Sequence, residues 1–279
     1  MTAGLGFMLI TSAPDVARHA EQCGVDRIFI DMETRGKAER QGHLDTHKSA
    51  HGPDDIACVA GALHSAELMA RINPPGPELQ DEVNAALDAG AERLMLPMFS
   101  STAEVADFVV AVGDRAPITL LVETPAALAR LRAWLPLLRP GDDVHFGLND
   151  LSLGAGLRFL FEPLAGGMLD EPAAICRDAN VPFGIGGVGR VGQGDVPAEW
   201  IIGEHVRLGS QWVILSRAFH GGAANVAELE ARLQLADELA QLHRVERAFQ
   251  AAGDQALHEN QQRLARRVFE FAGETAPDD

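Results

Sequence analysis

Glu123 and Asp150 are the residues whose type and placement point most directly to chemistry. The stretch ITLLVETPAAL (118–128) runs from an apolar strand through Glu123 into an alanine-rich helix, and VHFGLND (144–150) likewise ends an apolar run on an acid. Neighbouring strands lie about 5 Å apart, so two such carboxylates on adjacent strands share one pocket. Like charges that close repel unless a proton or a cation lies between them. An oxygen-seeking divalent cation, Mg²⁺ or Mn²⁺, suits one or two carboxylates completed by water and substrate oxygens. The competing reading is that each acid caps its own following segment, Glu123 through the amides of residues 124–127.

Other polar groups converge on the same ends. Arg71, in LMARIN (68–73), supplies fixed bidentate donors for an oxyanion, or a salt bridge at the rim. The backbone amides of Gly147, Leu148 and Asn149 are placed to cradle a substrate carboxylate. The segment TRGKAERQGHLDTHKSAH (34–51) gathers Arg35, Lys37, Arg40 and Lys48 with His43, His47 and His51 in an otherwise acidic chain. A basic loop at a pocket mouth fits an anionic substrate tail. His51 is the first candidate for a general base, with a surface or capping role as the alternative. The three histidines would make a zinc site only if 43–51 were helical. Gly184 to Gly189 satisfies G-x-G-x-x-G, but a dinucleotide fingerprint opens a helix at once, and none starts here before about Pro197. A wide glycine loop after the seventh strand, with Arg190 gripping an anion, fits better.

The elements that must position these groups are legible as an alternation. Apolar runs at 7–11, 27–31, 68–73, 93–97, 118–123, 144–150, 182–189 and 212–219 are separated by alanine-rich amphipathic stretches. Continuous apolar strands between helices imply a parallel sheet buried on both faces. Eight such units fit an α/β fold, the (β/α)8 or TIM barrel, which opens its active site at the C-terminal ends of its strands. An open doubly wound sheet is the alternative. Residues 226–271 read as two helical stretches, one of them surplus to a minimal barrel. The expected division is a barrel over 1–242 and a C-terminal helical extension over 243–279, whose surplus helix could pack on a neighbouring subunit.

Totals narrow the class. A formal net charge of −17 argues against nucleic acid or an anionic membrane as partner. No run of 18 apolar residues occurs, and the first residues lack the basic start of a signal peptide. Cys23, Cys58 and Cys176 are far apart and odd in number, as expected of packing cysteines in a reducing, cytoplasmic setting.

FIDMETRGKAERQ, ARINP, LDAGAERLMLPMFSSTAEV, LLVETPAAL and FGLNDLSLGAG occur in that order. Together they resemble the HpcH/HpaI aldolase and citrate-lyase β-chain superfamily, over roughly residues 5–220. The resemblance implies that Glu123 and Asp150 hold a divalent metal that chelates pyruvate or a related 2-oxo acid, and that Arg71 lies on the enolate oxygen. It makes Asp88 the partner of a His that, in the aldolase branch, follows the strand-2 Glu. Thr34 occupies that position and cannot act as a base near neutral pH. The citrate-lyase branch has acidic residues there, followed by Lys and Arg, and Gly36-Lys37-Ala38-Glu39-Arg40 leans that way. The implied activity is a metal-dependent lyase or aldolase joining a pyruvate-type enolate to an aldehyde or other anionic partner, in a homo-oligomer (trimer or hexamer). Proton transfer then falls to a metal-bound water aided by Asp88, or to His51. A citrate-lyase-like acyl-CoA lyase, a phosphoenolpyruvate-utilising enzyme and a non-catalytic 2-oxo-acid-binding barrel are the rivals.

Overall fold

Every one of the eight apolar runs contains a strand, and the eight strands close into a parallel barrel in chain order, which excludes the open sheet. The computed structural model describes residues 4–36, 51–219 and 221–273. The first half runs β1 (Gly6–Ile10), α1 (Pro14–Cys23), β2 (Arg27–Asp31), α2 (Pro53–Ala60), β3 (Glu67–Arg71), α3 (Leu79–Asp88), β4 (Arg93–Leu96) and α4 (Thr102–Val112). It continues through β5 (Ile118–Val122), α5 (Pro125–Ala129), α6 (Leu131–Trp134), β6 (Asp143–Phe146), α7 (Leu148–Gly154), α8 (Glu162–Ala165) and α9 (Asp170–Asp178). The last part is β7 (Phe183–Val188), α10 (Ala198–Leu208), β8 (Trp212–Leu215), α11 (Val226–Glu230), α12 (Leu235–Ala252) and α13 (Asp254–Ala272).

Alternation along each strand sorts its side chains. Outward residues such as Ile28, Ile30, Leu68, Leu94, Leu120 and Val122 join Val16, Ile56, Val83, Val105 and Phe108 of the helices in one apolar core. Inward residues stack in layers. A middle layer of Met8, Phe29, Met69, Met95 and Leu121 forms a separate apolar cluster. Two residues back along the strands lies a charged floor. There Arg27 meets Glu67 at 2.7 Å and Asp143 at 3.1 Å, and Arg93 meets the same two carboxylates at 3.0 and 3.4 Å. Two cations against two anions leave the floor neutral, the condition for burying such charges. Two residues forward, the strands end on Asp31, Arg71 and, just past β5, Glu123.

The glycine run is strand rather than loop. Gly184, Gly186 and Gly187 lie within β7, which is bulged between Gly184 and Gly187 against β8. A methyl group on Gly184 would stand 2.3 Å from His145 Nδ1, so that glycine makes room for an imidazole inside the barrel. The C-terminal region forms three helices instead of two, and the 242/243 division falls inside α12. Both long helices pack on α10 of their own chain. Asn260 of α13 is buried there and donates to the Trp200 carbonyl at 2.9 Å. No helix among the described residues is long and apolar enough to cross a membrane.

Candidate active site

The cap of α5 removes one of the two readings of Glu123. Thr124 takes the cap position: its Oγ1 accepts from Ala127 N at 3.0 Å and donates to the Phe99 carbonyl at 2.8 Å. Glu123 therefore does not cap the helix, and its buried carboxylate turns into the barrel mouth. Two neighbours hold it. Met98, in the left-handed region at φ 54°, donates its amide to Glu123 Oε1 at 3.1 Å, a backbone conformation that costs energy in a non-glycine residue. Gly147, at the end of β6, lies directly beside it: an added methyl would stand 2.9 Å from Glu123 Cβ and 3.0 Å from Oε2. Only a glycine lets these two strand ends approach so closely.

Asp150 follows in the first turn of α7, with Oδ1 shielded from solvent. The N-cap of that helix is Gly147, which has no side chain to cap it. Burial pushes the Glu123 carboxyl up to about 8. Arg71 pulls it down, while Asp150 and Glu33 push it up further. Three carboxylates thus face one another at the rim.

Arg71 stands among them with its guanidinium fixed. Nε donates to Asp31 Oδ1 at 2.9 Å and Nη2 to Asp31 Oδ2 at 2.7 Å, a bidentate fork. Glu33 Oε2 lies 3.4 Å from the same Nη2. Asp31 and Glu33 are both nearly fully buried. Sequence reasoning gave neither a part in the site. The missed signal is their spacing: two acids two residues apart at a strand end share the inward face.

The remaining candidates divide. His51 lies on the same rim, on the β1 side opposite β5: one ring nitrogen is 3.0 Å from Ser12 Oγ, while buried Nδ1 has no hydrogen-bond partner among the described residues. Thr34 is exposed and turned to Asn73, to which its hydroxyl donates at 3.3 Å. The other candidates are placed by their surroundings. Arg35 is drawn to the start of α3, where Nη2 meets Glu82 at 2.8 Å and Glu78 at 3.5 Å. Arg190 pairs with Glu238 of α12, and its buried Nε has no hydrogen-bond partner among the described residues. Asp88 is exposed at the C-terminus of α3, five residues before β4 begins, and thus at the opposite end of the barrel from Glu123. Gly147 N bonds the Val122 carbonyl at 3.0 Å, which leaves Leu148 and Asn149 as the amides opening α7. Lys37, Arg40, His43, His47 and Lys48 lie outside the described residues.

Among the described residues no group of three or more His, Cys, Asp or Glu side chains is arranged to hold a metal ion. The donor set at the rim nevertheless fits a hard cation: all-oxygen ligands, buried, mutually repelling and adjacent. Among solved structures, an HpcH/HpaI aldolase from Desulfitobacterium hafniense DCB-2 superposes with a TM-score of 0.57, over 83% of this chain and 94% of that one. The chain has the fold of an HpcH/HpaI aldolase. At 18% identity the likeness reaches that fold and no further. Neither a protein-family model nor a curated protein matches the sequence.

Proposed function

We propose that the protein is a divalent-metal-dependent carbon–carbon lyase of the aldolase kind, acting on a 2-oxo acid. The observation that carries this reading is the crowding of Glu123, Asp150 and Glu33 at the barrel mouth, with Glu123 pushed up to about 8. Glu123 and Asp150 would hold Mg²⁺ or Mn²⁺, which when bound polarises a carbonyl as a Lewis acid and makes the neighbouring C–H acidic. The chain's own groups do the rest. Arg71, locked by Asp31, directs its remaining donors at the oxygen that gains negative charge, without reorganising as the charge develops. The Leu148 and Asn149 amides face the carboxylate of the 2-oxo acid. His51 is the proton carrier for atoms on the far side of the mouth, where its Nδ1 has no other partner.

Exchange of the pyruvate methyl protons in D₂O, followed by proton NMR with added Mg²⁺ and again with EDTA, tests the reading. Loss of the methyl signal only with metal present supports it. No exchange from a protein that binds Mn²⁺ would replace it with a 2-oxo-acid-binding role, and no Mn²⁺ binding at all would sink it.

A further inference from the structure

A cavity of about 570 Å³ opens at the other end of the barrel, where the strands begin. Its walls include Trp212 from β8, Asp26 before β2, His205 at the end of α10, and Glu246 with Gln250 from α12. The charged floor separates it from the rim. Its size is that of a small-molecule site, and the helix surplus to a minimal barrel supplies one wall. Glu246 fixes that wall, accepting from Leu5 N at 2.9 Å and from Gln250 Nε2 at 3.0 Å.

The lining chooses among ligands. Among the described residues no Arg or Lys lines the cavity, whereas Asp26 and Glu246 do, so anions are repelled and a cation is favoured. His205 is buried, and Nδ1 lies 2.9 Å from Ser210 Oγ. Ser210 Oγ is within 3.4 Å of the Phe183 carbonyl and 3.3 Å of the Trp212 carbonyl, both of which can only accept. Either partner can donate in the His205 Nδ1–Ser210 Oγ hydrogen bond, and an N–H donor placed at Nε2 would select the tautomer protonated at Nδ1. Nε2 has no hydrogen-bond partner among the described residues, and burial, with His145 nearby, holds this imidazole neutral by moving it down to about 3. A buried ring nitrogen without a partner is a cost that a bound molecule can remove.

We propose that this cavity is a second, non-catalytic ligand site that takes a small organic amine with an apolar body. The indole wall receives the apolar part, and the amine N–H groups meet His205, Gln250 and the two carboxylates. The proposal does not depend on the chemistry assigned to the rim.

The test uses the full chain, ¹⁵N-labelled, with benzylamine as probe and benzoate as its charge-reversed control. The chain has three tryptophans, and the Trp212 indole signal is assigned with Trp212→Phe. Benzylamine should shift that signal saturably, and benzoate should bind at least about tenfold more weakly. Gln250→Trp, which fills the cavity from a solvent-accessible position, should abolish the shift while leaving the circular dichroism spectrum unchanged. Glu123→Gln should keep it. An unmoved indole, equal binding of benzoate, a shift that survives Gln250→Trp, or one lost in Glu123→Gln would each overturn the proposal.

Discussion

The Glu123 carboxyl is held near neutrality by its surroundings, which oppose its charge more strongly than Arg71 supports it. Replacing it should therefore separate binding from folding. Glu123→Gln is expected to lose Mn²⁺ binding in a calorimetric titration, yet to melt no lower than the metal-free parent. A variant that keeps its metal would remove Glu123 from the ligand set. Gly147→Ala should do the opposite: the added methyl meets Glu123 Cβ at 2.9 Å, so unfolding in urea should show a loss of about 1–3 kcal/mol. Arg71→Lys keeps the charge but not the fork that grips Asp31. Metal-dependent pyruvate exchange should then slow by about 10²–10³-fold. An unchanged rate would reduce Arg71 to a structural ion pair.

At the scale of elements, the α5 cap is what frees Glu123 for the pocket. Thr124→Ala should cost about 1 kcal/mol of stability in urea, the worth of a lost helix cap; a neutral result would mean that α5 is held by packing alone. The alternation that made the strands legible also put Glu123, Asp150 and Arg71 on one rim, because strand ends in a barrel are a property of local sequence. Arg35 and Arg190 were not legible in that way. Their partners, Glu82 and Glu238, lie 47 and 48 residues away, and only tertiary packing brings them together. The place of Asp88 was hidden for a related reason. A helix returning to the next strand carries its C-terminus to the wrong end of the barrel, and a motif match contains no direction. The Asp31 fork could be seen as an acid on the rim, but its partner could not.

For the molecule as a whole, two histidines set the acid limit. Burial moves His145 down to about 4 and His205 down to about 3, from 6.5. Both are neutral when folded and take up a proton near pH 6.5 when the chain unfolds. Below that pH the unfolded chain holds more protons, so stability should fall as pH drops from 6.5 towards 4. Glu123, raised to about 8, opposes this trend because the folded chain keeps a proton there that the unfolded chain releases. Urea midpoints at pH 7.5 and 5.0 are therefore compared in Glu123→Gln, where adding His145→Asn should reduce the difference; a midpoint that rises on acidification would contradict it. The charged floor has a consequence for traffic. Arg27, Arg93, Glu67 and Asp143 close the barrel beneath a layer of Met and Phe, so nothing held at the rim can leave through the barrel. Whatever lies deepest must enter first and leave last. Two-substrate kinetics at this rim should therefore be strictly ordered, with the outer product released before the inner one can follow.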